Sequence, residues 1–251
     1  VAIATVILPN LSRHHAAKSV EAYSETLNWA LKMVLVIAVP AAVALTMLAE
    51  PILVTLFYYG DVMTARDMSM ATLSLRAYSV GLVAFMLIKV LAPGFFARQD
   101  MRTPVRIGVI AMVSNMVLNL LFVVPLHYYW QIGHVGLAAA TSVSAFLNAG
   151  LLFIYLRKKG IYEPSGQWLK FGLSLTSAVV LMVVVLLFAA NWLGALDQTV
   201  WQQLAWWQRS GNLVALCTAG FLAYAGCLMA TGFGVADLRG PAKATSQKCI
   251  D

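Results

Sequence analysis

The chain has 251 residues, of which 61% are hydrophobic and 11% charged, and its mean hydropathy is +0.80. Soluble globular domains are about 45–50% apolar and about 25% charged. This composition therefore excludes a typical soluble enzyme, a disordered chain and a disulfide scaffold. It predicts an all-α fold, namely a polytopic bundle of transmembrane helices. The net charge of +7 does not indicate nucleic-acid binding, because most basic residues flank long apolar runs, where membrane topology accounts for them.

The first apolar run, residues 1–8, is too short to cross a bilayer. A helix of that length extends about 12 Å, less than half of a hydrocarbon core of about 30 Å. We therefore interpret it as the end of a helix in a longer, transporter-sized protein whose N-terminal lobe this sequence lacks. The polar segment that follows, residues 10–28, is predicted to lie on the membrane surface as an amphipathic helix. Its apolar stripe consists of Val20, Tyr23, Leu27 and Leu31.

Six longer apolar runs are predicted to span the membrane. The first contains Pro40, which is expected to kink its helix, and an interfacial or re-entrant helix over residues 52–59 follows it. The fourth carries small residues that let helices approach closely. A short aromatic loop, residues 127–133, precedes the fourth span, and a loop with four tryptophans, typical of a membrane interface, precedes the sixth. The predicted spans are 29–49, 72–96, 105–126, 135–156, 168–190 and 213–233.

Lysines and arginines are distributed unequally between alternate loops. Twelve lie in the loop after residues 1–8, in the loops after the second and fourth spans and in the C-terminal tail, whereas three lie on the other side. Cytoplasmic loops carry the excess of positive charge. The distribution therefore predicts that the first set, including the C-terminus, is cytoplasmic.

Lys89 is the most informative single residue, because it lies inside the second span. It precedes Arg98 by nine positions, which places it about 13 Å from the basic end of the helix. A lysine near the midplane costs roughly 2.5–3.5 kcal/mol on insertion scales, and an intramembrane charge is a functional hypothesis by default. Lys89 either faces a water-filled cavity and attracts an anionic group, or it snorkels to the interface and only packs.

Four further residues complete the candidate translocation set. Pro93 and Gly94 leave backbone groups unpaired at membrane depth, which is tolerated where helices break around a substrate path; a plain kink is the alternative. Arg98 and Arg102 follow in a polar turn. They either gate the cytoplasmic mouth and contact phosphates or serve only as a topology signal.

The remaining polar residues do not indicate a catalytic residue, a metal site or a cofactor. The histidines lack a suitable third ligand nearby, and the acidic residues of the outer loops, Asp61, Asp67 and Asp197, show no paired spacing for acid–base chemistry. Asn119 and Asn148 lie inside spans and are expected to bridge helices.

Several motifs together resemble one family. The most specific runs from Lys89 to Asp100 and is followed by Arg102-Thr103-Pro104. The others are residues 4–13, 56–60, 77–81 and 136–141. On these residues the chain resembles the C-terminal half of the MurJ (MviN) lipid II flippase family, in the superfamily that includes MATE exporters.

The resemblance implies a whole protein of fourteen transmembrane helices, arranged as two six-helix lobes plus two C-terminal helices. Residues 1–160 would hold the end of one helix and four helices of the second lobe, and residues 161–251 the last two helices and a cytoplasmic tail. Some members bind sodium through an Asn and an Asp four residues later in the eleventh helix. Here Val123 stands four residues after Asn119, which argues against such a site.

The implied activity is transport of lipid II, an undecaprenyl-pyrophosphate-linked disaccharide-peptide, across the bacterial inner membrane by alternating access. The head group would enter a cationic cavity, and the polyprenyl tail would lie in a groove beside the last two helices. Apolar residues of these helices, among them Val183 and Phe221, fit that groove.

Three other interpretations stay open. The chain is also compatible with an exporter of drugs or of other lipid or polysaccharide precursors, with an intramembrane glycan-processing enzyme, and with a partner subunit that does not transport. An enzyme would need acid–base groups at the outer mouth, where the outer-loop aspartates are the available acids. The expected partners are lipid II, membrane lipids and the N-terminal lobe, and no nucleic acid.

Overall fold

The computed structural model describes residues 11, 20–59, 64–130, 132–160, 162, 168–195 and 197–232. These residues form eight helices and no strand. The helices are α1 (Val20–Met47), α2 (Ala49–Phe57), α3 (Ala65–Phe96), α4 (Arg102–Trp130), α5 (Gly133–Lys158), α6 (Trp168–Trp192), α7 (Gln198–Gln203) and α8 (Trp206–Ala230). All but α2 and α7 are long and apolar enough to cross a membrane, which confirms the six predicted spans. The chain is therefore a multi-pass membrane protein.

The predicted surface helix is wrong over its described part, because those residues begin the first spanning helix. α1 runs without interruption from Val20 to Met47, with Pro40 inside it. Tyr23, Leu27 and Leu31 are buried in the core that α1 forms with α3 and α5. An apolar stripe at helical spacing fits a membrane surface and a neighbouring helix equally well, so the pattern alone did not distinguish them. Of the residues before Val20, the structure describes Leu11.

Helices α3 and α5 pack closely through small residues, as predicted for the fourth span. A Cβ atom added to Gly81 would lie 2.5 Å from Oγ of Ser142. The Ser142 hydroxyl in turn donates a hydrogen bond of 2.7 Å to the carbonyl of Ala77. Gly136 makes a similar approach to α4, where an added Cβ would lie 2.9 Å from the carbonyl carbon of Phe122. The small side chains of α5 therefore bring three helices into backbone contact.

The basic residues between α3 and α4 and between α5 and α6 lie at one end of the bundle, which we call the basic side. The opposite end, the far side, is built from α2, α7 and the start of α8. Two predictions there need correction. The aromatic segment at residues 127–133 is mostly helix, because α4 continues to Trp130. Trp201 is not at an interface but buried, with its indole N–H donating to Thr55 Oγ1 over 3.1 Å.

Two apolar clusters organise the packing. One joins the first half of α1 to α3 and α5, and the other joins the second half of α1 to α2, α6, α7 and α8. α1 therefore connects the α3–α5 part of the bundle to the α6–α8 pair.

Candidate functional site

Lys89 lies on an exposed face of α3 that none of the described helices covers. Tyr78, Phe85 and Phe96 share that face, since successive steps from Tyr78 to Phe85, to Lys89 and to Phe96 are seven, four and seven positions. No hydrogen bond or ion pair joins Lys89 to another described residue. The Cα atom of Lys89 lies about 10 Å inside the helix end at Phe96. Its ammonium group has no counter-charge from the described part of this chain.

Pro93 and Gly94 do not share this exposed surface, and of the two alternatives for them the structure does not have the broken helix. α3 continues through both residues to Phe96. Both are buried, and the carbonyl of Gly94 accepts a hydrogen bond from the Tyr23 hydroxyl of α1. A Cβ added to Gly94 would meet Leu156 of α5 at 3.6 Å. These two residues fit α3 against its neighbours, and the Tyr23 hydroxyl supplies a partner for the Gly94 carbonyl in the last turn of α3.

Arg98 and Arg102 are both exposed in and beside the turn that joins α3 to α4 on the basic side. Asp100 stabilises this turn, because its carboxylate accepts hydrogen bonds from the Thr103 amide at 3.1 Å and from the Thr103 hydroxyl at 2.8 Å. The same carboxylate accepts a hydrogen bond from Lys159 at the end of α5. The hydrogen bond from Lys159, with those from Thr103, lowers the pKa of Asp100 to about 2. The two arginines are therefore carried on a turn that is anchored to α5.

Lys32 is a second lysine inside a span. It stands three residues after the predicted start of that span, but twelve residues into α1. Its ammonium lies 5.9 Å from the ring centres of both Trp168 and Phe171. Nearby, the Asn28 side-chain carbonyl accepts hydrogen bonds from Tyr162 at 2.7 Å and from Trp168 at 2.9 Å. Lys32 is thus stabilised by aromatic faces at the junction of α1 and α6, whereas Lys89 has no such contact among the described residues.

An apolar groove of about 480 Å³ lies between α1, α6 and α8. Its lining includes Ile37 and Pro40 of α1, Met182 of α6, and Phe221 and Leu228 of α8. Of the apolar residues expected beside a tail groove, Phe221 lines this one, whereas α6 contributes Met182 and Leu186 rather than Val183. Ile37 and Phe221 are exposed as well as lining, so the groove opens to the surroundings of the bundle.

Arg209 is a buried cation that sequence reasoning assigned to an outer loop. Its guanidinium donates to the carbonyls of Leu204 at 2.9 Å, of Tyr58 at 3.1 Å and of Gln202. Its side chain also lies over the Tyr58 ring. Arg209 therefore joins the end of α2 to α7 and to α8 on the far side, above the groove.

Comparison with known proteins decides the family. The family model described as lipid II flippase MurJ matches residues 1–202. The chain belongs to the MurJ lipid II flippase family. A probable lipid II flippase MurJ of Vibrio cholerae is 42% identical over 239 residues, covering 95% of this chain and 43% of the relative. The lipid II flippase MurJ of Burkholderia cenocepacia is 39% identical over 247 residues, covering 97% of this chain and 45% of the relative.

A solved structure shows that the fold is shared within the family. The match is to a lipid II flippase MurJ in an inward closed conformation, with a TM-score of 0.66 and 23% identity. It covers 90% of this chain and 42% of the solved chain. The chain thus spans less than half the length of the family members that it matches.

Polar side chains form a short chain of hydrogen bonds between α4 and α5. The expected bridge between helices is made by Asn115, which sequence reasoning missed, and not by Asn119: Asn119 Nδ2 donates to Asn115 Oδ1 of the same helix at 2.9 Å, and Asn115 donates to Ser144 of α5 at 3.0 Å. Asn148 makes no hydrogen bond with a described side chain. The two residues four positions apart are both neutral amides, so this pair supplies no carboxylate for a cation.

Two of the three acids that the sequence predicts to lie in outer loops serve as helix caps. Asp67 and Thr64 form a capping box at the start of α3. Asp197 accepts the amide and hydroxyl of Thr199 at the start of α7, and this hydroxyl hydrogen bond lowers the Asp197 pKa. Asp61 lies outside the described residues. Within the described parts of the chain, no three histidine, cysteine or acidic side chains lie together as a metal site requires.

Proposed function

We propose that the full-length protein carries lipid II from the inner to the outer leaflet of the bacterial inner membrane by alternating access. The observation that carries this proposal is Lys89, an exposed cation inside a membrane-spanning helix with no counter-charge among the described residues. Family membership supports the proposal, because the matched relatives are lipid II flippases by name.

The surroundings of Lys89 favour an anionic cargo. An ammonium group in hydrocarbon is costly, so it persists where water or an anion meets it. The exposed face of α3 provides a surface on which the other lobe of the full-length protein would close a cavity. Inside such a cavity the attraction between Lys89 and a pyrophosphate is stronger than in bulk water, because the local dielectric is lower. This favours a pyrophosphate-linked lipid over the cationic drugs that a related exporter would carry.

Arg98 and Arg102 are proposed to attract the head group at the basic side. Pro93 and Gly94 contribute by shaping α3 rather than by contacting cargo, since both are buried. The excess of lysine and arginine on the basic side supports a cytoplasmic location for this side and for the C-terminus. The head group of lipid II in the inner leaflet would then reach the arginines from the cytoplasm.

The apolar groove is proposed to hold the polyprenyl tail while the head group crosses. Its apolar lining and its open side suit a hydrocarbon chain that enters from the bilayer. The division into a lobe of residues 1–160 and two added helices in residues 161–251 stays a prediction. No chemical step is assigned to this chain, because Asp67 and Asp197 are engaged as caps.

Replacement of Lys89 tests the proposal directly. Cells depleted of their native flippase would carry the full-length protein with Lys89→Ala, with Lys89→Arg, or with Lys158→Ala as a matched exposed lysine at the end of α5. We expect Lys89→Ala to lower the lipid II exposed on the outer leaflet, and the other two variants to retain it, at equal protein levels in the membrane. Full transport by Lys89→Ala would remove Lys89 from the site.

A further inference from the structure

Pro40 removes one backbone hydrogen bond from the middle of α1. In an α-helix the amide of each residue donates to the carbonyl four residues earlier, and proline has no amide hydrogen. Because Pro40 lies inside α1, the carbonyl of Val36 loses its usual donor. Val36 is about 24 Å from the start of α1 at Val20 and about 16 Å from its end at Met47. Lipid offers no donor at this depth, so an unpaired carbonyl there would be costly.

A side chain of α8 supplies the missing donor. The Tyr224 hydroxyl donates a hydrogen bond of 2.7 Å to the carbonyl of Val36. Both residues are buried, since Val36 is 8% and Tyr224 6% exposed. A buried tyrosine hydroxyl also needs a hydrogen-bond partner. One bond between α8 and α1 therefore serves both the freed carbonyl and the hydroxyl.

A proline inside a spanning helix does not bring such a partner by itself. Pro93 lies inside α3 in the same way, so it frees the carbonyl of Lys89. Among the residues that the structure describes, no side chain donates to that carbonyl. The pairing of Pro40 with Tyr224 is therefore a particular feature of the contact between α1 and α8.

The bond joins two of the three helices that line the apolar groove. Val36 and Pro40 line it from α1, and Tyr224 lines it from α8. α8 also packs closely against α6, since a Cβ atom added to Gly220 would lie 2.9 Å from Leu186. α8 is thus held to α6 by close packing and to α1 by the Tyr224 hydroxyl.

We infer that Tyr224 is a positioning residue for lipid II transport. Its hydroxyl holds α8 beside α1 through the carbonyl that Pro40 frees, and it thereby keeps the groove in the shape that receives the polyprenyl tail. This inference rests on the proposed function, because the groove is the proposed place of the tail. The two residues act as a pair, since the proline makes the acceptor available and the tyrosine provides the donor.

The first test asks whether the bond depends on Pro40. Tyr224→Phe removes only the hydroxyl, and Pro40→Ala returns an amide that can donate to Val36 within α1. We expect Tyr224→Phe to lower the thermal midpoint of the detergent-solubilised full-length protein, and to lower it less in the Pro40→Ala background. Tyr128→Phe is the control, because the Tyr128 side chain is exposed and its hydroxyl makes no hydrogen bond with a described residue. It should leave the midpoint unchanged.

The second test measures the position of α8 and its effect on transport. Spin labels are attached at Lys158→Cys, at the end of α5, and at Leu222→Cys, an exposed position of α8 that does not line the groove, in the full-length protein without native cysteines. In Tyr224→Phe the ratio of the original distance to a displaced one should fall about fivefold, which corresponds to about 1 kcal/mol for one hydrogen bond. Lipid II exposed on the outer leaflet should fall in Tyr224→Phe at equal protein levels in the membrane. Tyr128→Phe should change neither the distance nor transport.

Three results would overturn the inference. An equal loss of midpoint with and without Pro40→Ala would show that the proline does not supply the acceptor. An unchanged distance in Tyr224→Phe would show that α8 is held without the hydroxyl, and unchanged transport would show that this bond does not serve the cargo. If Lys89→Ala lowers transport while Tyr224→Phe does not, the proposed function stands and only the role of Tyr224 is lost.

Discussion

Lys159, at the end of α5, donates a hydrogen bond to Asp100 in the turn between α3 and α4, and this pair ties together two of the basic-side connections. The pKa of Asp100 is lowered to about 2, first by Lys159 and then by Thr103. Because the folded pKa lies below the ordinary value of about 3.9, the stabilisation by ionised Asp100 is complete above that value and is lost as the pH falls through about 2.

We therefore expect the anchored turn to be insensitive to pH between neutrality and about pH 4. In infrared spectra of the full-length protein, the band of protonated Asp100 is identified as the carboxyl band that Asp100→Asn removes. This band should be absent at pH 4. Because the pair is partly exposed, Asp100→Asn should cost at most about 1 kcal/mol of stability. An Asp100 band that grows in near pH 4 would show that Lys159 does not hold the carboxylate.

Arg209 should be needed for folding of the far side. Replacing it by methionine leaves the carbonyls of Leu204, Tyr58 and Gln202 without their donor, and an unpaired buried polar group costs about 1–3 kcal/mol. We expect Arg209→Met to lower the thermal midpoint of the detergent-solubilised full-length protein, measured by size-exclusion chromatography after heating. Arg66→Met, an exposed arginine at the start of α3, serves as the control. Equal midpoints for the two variants would assign Arg209 no stabilising role.

The membrane spans could be predicted from the sequence, but the contacts between them could not. Hydropathy predicts a span because lipid requires about 20 apolar residues per crossing, whatever lies beside them. Spans that are apolar on every side give little indication of which face meets a neighbour. This is why α6 lines the groove with Met182 and Leu186 rather than with Val183, and why Trp201 is buried rather than interfacial.

For the candidate site, too, the sequence indicated single residues but not the contacts between them. A charged residue in an apolar run is visible without any structure, which is why Lys89 could be proposed from the sequence. The hydrogen bonds of Gly94 and Arg209 join residues far apart in the chain, namely Tyr23 with Gly94 and Tyr58 with Arg209. No local pattern contains such pairings, because they depend on which helices become neighbours.

The close approach of α3 and α5 should make Gly81 intolerant of even a methyl group. The nearest atom to an added Cβ is Ser142 Oγ at 2.5 Å, and Ser142 Cβ follows at 2.9 Å. Gly81→Ala should therefore destabilise the protein by about 1–3 kcal/mol through overpacking, and a second change, Ser142→Gly, should restore part of the loss. Gly108→Ala on α4 is the matched control, since an added Cβ there meets nothing within 4 Å.

Thermal unfolding of the full-length protein measures these differences. The control should be neutral or stabilising by up to about 1 kcal/mol, because alanine favours a helix interior over glycine. Equal stability of Gly81→Ala and Gly108→Ala would mean that the two helices are not in backbone contact at this position.

Substitutions of the two intramembrane lysines should have different effects, one on stability and the other on transport. Lys32 lies over the rings of Trp168 and Phe171, so Lys32→Met removes cation–π contacts of about 0.5–2 kcal/mol and should lower the thermal midpoint. Lys89 has no hydrogen-bond or ion-pair partner among the described residues, so Lys89→Met should leave the midpoint unchanged while lipid II exposure on the outer leaflet falls. A lower midpoint for Lys89→Met, with Lys32→Met unaffected, would reverse the roles assigned to these residues.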